Sequence, residues 1–280
     1  MKTDKIWYVT GASKGLGLTL VKKLLATGYK VAATSRNAAT LSEAVGAGNS
    51  ENFLPLEVDL VDEQSVAESI RRTQEVYGKI DVIVNNAGYG IGGTIEELSQ
   101  EEISEAFNIN VFGTINVIKY AMPYLRAQRS GYIINISSIA GFAPATGWSI
   151  YAAAKHAIIG LSESLADDVR QLGTKVTAIA PGAFRTQFLT KESLVFAENS
   201  IEDYEEVHAS HDKFHKMNGN QLGDPEKAAE VMIHLAESDN PPVRLYLGSD
   251  AYRRASAKLG TLTQMLEDWK DITLSTDFQE

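Results

Sequence analysis

The sequence predicts a doubly wound α/β fold, with a parallel sheet of about seven strands and helices on both faces. Three observations point there. Seven short apolar runs recur along the chain, at residues 6–9, 30–33, 52–57, 82–84, 132–136, 175–179 and 244–247. Between them lie stretches with apolar residues at i, i+3, i+4 spacing, for example 16–26, 63–77, 104–126 and 150–172. The runs are β-branched and nearly continuous rather than alternating, as expected of parallel strands covered on both faces. Right-handed crossovers between such units wind them into an open sheet. An eight-unit barrel is the competing architecture. Seven runs, and longer, less regular helical patterns in the second half, favour the open sheet.

With 280 residues, 44% of them hydrophobic and 22% charged, the chain can bury a large core. We read 1–280 as one domain, with 188–223 as a substrate-binding lid and 251–280 as a C-terminal extension. The region 188–223 mixes Phe188, Leu189, Leu194, Phe196 and Phe214 with the acidic cluster Glu202, Asp203, Glu205 and Glu206, as lids and binding loops often do. Lys and Arg number 26 against 36 Asp and Glu, a formal net charge of −10, which argues against nucleic-acid binding. The absence of cysteine excludes disulfides, thiolate catalysis and cysteine-type zinc sites. No apolar stretch is long enough for a membrane span or a secretory h-region, so the expectation is a soluble, cytoplasmic protein without a membrane partner.

The first strand runs into Thr10-Gly11-Ala12-Ser13-Lys14-Gly15-Leu16-Gly17 and then into a helix. Glycines at 11, 15 and 17 allow a tight turn and a close approach to a pyrophosphate, while the helix N-terminus offers free N–H groups to that anion. The strand–loop–helix context makes this a dinucleotide site on a Rossmann-type fold. Such sites that prefer NAD(H) carry an acidic residue at the end of the second strand. Here no Asp or Glu occurs from Lys5 through Ser42, and the second strand ends in Ser35-Arg36. The Arg36 guanidinium, the Ser35 hydroxyl and Lys14 suit a 2′-phosphate, so NADP(H) is expected over NAD(H).

Tyr151-Ala152-Ala153-Ala154-Lys155 places a phenol and an ammonium four residues apart on one helix face. A neighbouring ammonium favours phenolate and is expected to pull the phenol pKa down. Ser137-Ser138 ends the strand at 132–136, at the sheet edge where such folds bind ligands, and Asn110 sits in an apolar helical setting that calls for a polar partner.

Together these residues resemble the short-chain dehydrogenase/reductase family, over roughly residues 5–187. The motifs occur in order: TGASKGLG, Asp59-Leu60, Asn85-Asn86-Ala87-Gly88, Asn110, Ser138, YAAAK and Pro181-Gly182-Ala183-Phe184-Arg185-Thr186. The whole string looks most like the 17β-hydroxysteroid-dehydrogenase-like subgroup of the smaller, single-domain branch. The resemblance implies Tyr151 as general acid/base, Lys155 as the group that lowers its pKa and bonds the nicotinamide ribose, and Ser138 as the group that orients the substrate oxygen. It also implies Asn110 as the holder of a proton-relay water. Asp59 and Leu60 would meet the adenine, Asn86, Ala87 and Gly88 the adenine ribose, and Thr186, with Pro181 and Gly182, the carboxamide end. Asn86 and its neighbours could equally be a structural turn, and Asp59 a helix N-cap.

Tyr89, Ile91, Phe142, Trp148, Ile150, Phe184, Phe188 and Leu189 form an expected apolar wall, which suits a hydrophobic carbonyl or secondary alcohol. His208, His211 and His215 recur at helical spacing, but no zinc site is expected, and they read as solvated or lid residues. A homodimer or homotetramer through the helices at 104–126 and 150–172 is implied by the resemblance. A catalytically silent NADP(H)-sensing protein is the alternative, against which the intact Ser138, Tyr151 and Lys155 speak.

Overall fold

The computed structural model describes residues 4–48 and 50–278. Strands β1 (Ile6–Val9), β2 (Lys30–Ser35), β3 (Phe53–Glu57), β4 (Val82–Asn85), β6 (Gly131–Ile136), β7 (Thr174–Pro181) and β9 (Arg244–Leu247) form one seven-stranded sheet, ordered β3-β2-β1-β4-β6-β7-β9. Every pairing in it is parallel. A separate parallel pair, β5 (Gly90–Gly92) with β8 (Leu194–Phe196), was not expected from the sequence. The strand order reverses direction between β1 and β4, which opens a crevice at the C-terminal ends of these strands.

The continuous apolar runs follow from burial of both sheet faces. In β1, Trp7 and Val9 pack on one side with Leu20, Leu24 and Met232, while Tyr8 packs on the other with Ile70, Val117 and Ile133. The first face is covered by α1 (Gly15–Ala26), α2 (Ala38–Val45) and α8 (Pro225–Glu237). The second is covered by α3 (Glu63–Tyr77), α5 (Gly113–Gln128) and α6 (Ser149–Val169).

The single helix expected at 104–126 is α4 (Gln100–Phe107) and α5 joined by a π-helical turn, Asn108–Phe112. Ser99 begins α4 with a reciprocal capping box to Glu102. In the region expected to act as a lid, a 3₁₀ turn (Gln187–Leu189), β8 and α7 (Glu205–Lys216) follow β7. The chain ends in α9 (Ser249–Asp268) and α10 (Lys270–Leu274). Among the described residues no helix is long and apolar enough to cross a membrane.

Candidate active site

A cavity of about 1000 Å³ opens at the crevice. Its wall holds Gly11, Ser13, Lys14, Gly15, Leu16, Ser35, Arg36, Asp59, Leu60, Asn86, Ala87 and Gly88 toward one end, and Ser138, Tyr151, Lys155, Pro181, Gly182 and Thr186 toward the other. Two of the residues expected at the site, Gly17 and Asn110, do not reach this wall. Gly17 packs against Asn86 and the Gly11 carbonyl, where a side chain would collide. Asn110 is 1% exposed and lies behind Gly88.

The glycine loop is shaped by β4. Gly11 adopts φ 64°, and a Cβ there would stand 2.6 Å from the Ala87 Cα. The Asn86 Nδ2 donates to the carbonyls of Thr10 and Gly11 at 2.9 Å, so this asparagine holds the loop in place. Helix α1 starts without a side-chain cap and without an acid in its first turn, leaving its donors open to an anion. One of them, the Gly15 N–H, donates to Gln187 Oε1 at 3.2 Å, a neutral oxygen standing where the helix end demands an acceptor.

Lys14 lies beside Arg36, which is exposed. Burial holds the Lys14 pKa below its ordinary value and the Arg36 charge lowers it further, against the opposing pull of Glu192. Two cations close enough to repel make a positive patch with no carboxylate on the strand beneath them. Ser35 Oγ donates to the Asn37 carbonyl at 2.7 Å. Asp59 does not cap a helix: its Oδ1 accepts from the Val61 N–H, while Asp62 caps α3 by accepting from the Gln64 N–H.

At the other end, Tyr151 and Lys155 occupy successive turns of α6, both nearly buried, with Lys155 Nζ 5.8 Å from the Tyr151 ring centre. Lys155 Nζ donates to the Ile136 carbonyl at 3.2 Å, and Ser137 Oγ donates to the Lys155 carbonyl at 2.7 Å, which locks α6 to the end of β6. Burial pushes the Tyr151 phenol up to about 12, against a lowering effect from Ser138, and pushes the Lys155 ammonium down to about 8. In the free protein burial, and not the tyrosine–lysine spacing, sets the direction of the phenol pKa.

Asn110 lies in the π-helical turn, as functional residues on such turns often do. Its Nδ2 donates to the Ala106 carbonyl, and its Oδ1 accepts from the Tyr89 N–H at 3.3 Å. Gly88 separates it from Lys155: a Cβ there would come 2.6 Å from Asn110 Oδ1 and 3.2 Å from Lys155 Nζ. Gly88→Ala is accordingly expected to cut turnover about 10- to 100-fold by displacing both groups. Steady-state kinetics alongside a melting curve checks this, and unchanged kcat would show that neither position matters.

The apolar wall is narrower than expected. Tyr89, Ile91, Trp148, Phe184, Phe188 and Leu189 line the cavity, but Phe142 and Ile150 do not. Phe142 packs instead on Tyr246, with ring centres 5.5 Å apart, and Ile150 packs in the cluster around Trp148. Phe214 and Met217 close the same side from the end of α7. The histidines are docking groups. His208 Nε2 bonds Glu97 at 2.7 Å, and His211, buried edge-on to Trp148, bonds the Gly147 carbonyl at 2.9 Å. Burial would raise the Glu97 carboxyl, yet hydrogen bonds from the Ile201 and Thr94 N–H groups and from His208 hold it down at about 2. Among the described residues no group of three metal-ligating side chains is assembled.

Sequence reasoning missed Asp250 and Arg254, which line the cavity from α9. The Ala183 N–H donates to Asp250 at 2.8 Å, and Arg254 bonds the Ala143 carbonyl. Nothing local marks them, because only the return of β9 beside β7 carries α9 to the site.

A family model described as short chain dehydrogenase matches residues 5–194. Oxidoreductase BOA17 of Botryotinia fuckeliana is 33% identical, over 97% of this chain and 99% of that protein. The 3-ketodihydrosphingosine reductase of Bacteroides thetaiotaomicron is 34% identical, over 87% of this chain and 88% of that protein. Among solved structures, a short-chain dehydrogenase from Streptomyces avermitilis superposes with a TM-score of 0.90 at 33% identity, covering 98% of this chain and all of that one. ElxO with NADP bound superposes with a TM-score of 0.71 at 30% identity, covering 86% and 96% of the two chains.

Proposed function

This chain belongs to the short-chain dehydrogenase family and is an oxidoreductase, and from that premise we propose that it reduces hydrophobic ketones or aldehydes at the expense of NADPH. One observation carries the reading: a single cavity joins the glycine loop and Arg36 to Ser138, Tyr151 and Lys155. The residues fit a dinucleotide phosphate. The loop is cut to bare backbone at Gly11, α1 begins without a cap from Lys14 and without an acid in its first turn, with only the neutral Gln187 amide oxygen on the Gly15 N–H, and Lys14 and Arg36 put positive charge beside the end of β2.

When bound, the dinucleotide supplies the hydride. Tyr151 holds a proton that burial keeps on the phenol throughout the neutral range, and this proton goes to the substrate oxygen as negative charge develops there. Ser138 offers its hydroxyl to the same oxygen. Lys155, cationic below about pH 8, favours the phenolate left behind once the proton has gone. The phenolate is reprotonated from solvent, by a relay for which the placement of Asn110 and Lys155 on either side of Gly88 is suited.

The apolar wall supports a hydrophobic substrate, as does a relative whose name denotes a ketone reductase. The lid reading rests on α7, β8 and the 3₁₀ turn that overlie the cavity. We further read the chain as one domain acting in the cytoplasm, as a homodimer or homotetramer through α5 and α6.

Titration of the protein with NADPH and NADH, followed by quenching of tryptophan fluorescence, tests the cofactor assignment, since Trp148 lines the cavity. NADPH is expected to bind roughly 10- to 100-fold more tightly, as suits one or two charge-assisted hydrogen bonds to the extra phosphate. The preference should vanish in Arg36→Ala. Tighter binding of NADH would overturn the phosphate assignment. Consumption of NADPH with a panel of aliphatic, aromatic and steroid ketones then tests the reaction, and tight binding without turnover of any of them would favour the sensing alternative.

A further inference from the structure

The last helix is half anchored and half bare. Ala251 and Ala255 of α9 are buried against Ile139 and Ala143, but from Leu259 to Phe278 every described residue is exposed. Large apolar side chains recur among them. Leu259 is 53% exposed, Leu266 66%, Trp269 60% and Ile272 60%. At 1.5 Å per residue, the part of α9 beyond Ala255 stands clear of the body by about 20 Å.

Two features indicate what covers it. Leu259, Leu262, Leu266 and Trp269 follow one another at steps of three, four and three residues, in line with the exposed Tyr252, while Ala255 on the same line is covered by this chain's own body. That spacing draws a single narrow stripe, the pattern by which one helix packs along another. Arg253, Glu267, Asp268 and Asp271 lie away from the stripe. Gly260, Thr261 and Thr263 are weak helix formers, so this segment would be marginal as a helix with nothing against it. Charge is also segregated along the length. Arg253 and Lys258 stand in the first half, while Glu267, Asp268 and Asp271 stand in the second, where Lys270 pairs within its own turn to Glu267.

We propose that α9 pairs antiparallel with α9 of a second copy of this chain, stripe against stripe. Antiparallel pairing sets the basic half of each helix beside the acidic half of the other and opposes the two helix dipoles. With roughly 150–250 Å² available from a single aromatic side chain, the stripe approaches the ~800 Å² that each partner gives to a stable interface. The acidic end of the helix disfavours the alternative of an anionic membrane surface. The pairing is independent of the dehydrogenase chemistry and of any dimer through α5 and α6.

Sedimentation velocity of the full chain against the double variant Leu262→Glu/Leu266→Glu, and against a chain ending at Ala257, reads the interface. Both variants are expected to show half the mass of the wild type with NADPH binding retained, which also shows that they fold. The chain has no cysteine, so orientation can be read by oxidation. Leu259→Cys mixed with Leu266→Cys should cross-link, whereas Leu259→Cys alone should not. Unchanged mass in both variants overturns the proposal. Cross-linking by Leu259→Cys alone overturns the antiparallel arrangement. Stripe-dependent flotation with phosphatidylcholine/phosphatidylserine vesicles, at unchanged solution mass, would assign the stripe to a membrane instead.

Discussion

Tyr151→Phe is expected to lower kcat for ketone reduction about 100- to 10,000-fold, the range for loss of a positioned general acid, while the affinity for NADPH changes little. The variant keeps the ring, and with it the edge-on contact to Trp148 at 6.4 Å and the contact to Phe188 at 6.1 Å. The fold around the site should therefore survive, and the loss should lie in the chemical step. No other group in reach replaces the proton, since Lys155 is committed to the Ile136 carbonyl and Ser138 has an alcohol's acidity. The pH profile follows from the phenol being held at about 12 by burial. Reduction needs the protonated form and should not fall between pH 7 and 10 on account of Tyr151, whereas alcohol oxidation, which needs phenolate, should rise with pH across that range. Folded-state protonation of this group contributes stability that is present below its ordinary value of 10.0 and lost as pH rises through about 12. Turnover of a substrate by Tyr151→Phe at the wild-type rate would refute the mechanism.

Lys155→Met should pull activity and stability in opposite directions. Turnover is expected to drop at least 100-fold, because the group that stabilises the phenolate is gone. The protein without cofactor should nevertheless become more stable at pH 7, by about 2 kcal/mol. Lys155 is 4% exposed, and its pKa is lowered from 10.5 to about 8, so holding it charged costs on the order of 3 kcal/mol. Loss of its bond to the Ile136 carbonyl returns about 1 kcal/mol of that. The sign with pH is specific. A lowered ammonium pKa penalises the folded state fully below pH 8, and the penalty fades as pH rises from 8 to 10.5. The gap between variant and wild type, measured by urea unfolding, should therefore close over that interval. A variant less stable than wild type at pH 7 would mean that Lys155 acts as a structural strut.

The five inner strands were legible because burial on both faces writes an apolar run, and Trp7 beside Tyr8 reports both faces at once, while the edge strands β3 and β9 are only partly buried. The pair β5 and β8 was not legible: Gly90-Ile91-Gly92 is too short to show a period. Helix α8 carried its own signals, Asp224 as cap and Pro225 in the first turn, though they lay outside the stretches singled out. In the site, Gly11, Lys14 and Arg36 could be read because loop and strand ends are local features. Phe142 and Ile150, expected in the wall, pack on Tyr246 and in the Trp148 cluster, because the direction a side chain faces is set by tertiary packing. Burial raises the Tyr151 pKa in the free protein, which spacing alone does not show. Helical spacing reports the distance between Tyr151 and Lys155, but the depth at which the fold buries them is a property of the whole chain.

The π-helical turn at Asn108–Phe112 has a further bearing, on how the chain tolerates insertion and deletion. One surplus residue in a helical turn rotates everything after it by about 100°. Ahead of the turn, Ile103, Ala106 and Phe107 face the cluster around Trp148, and after it Val117, Ala121 and Leu125 face the sheet. The surplus residue lets one continuous stretch of helix serve two cores whose directions differ. Removing any one residue between 108 and 112 would give a more regular helix, and it would swing the second apolar face off the sheet. The segment is thus as exacting about length as a turn in a strand register, even though its helical context suggests a place where a residue could be spared.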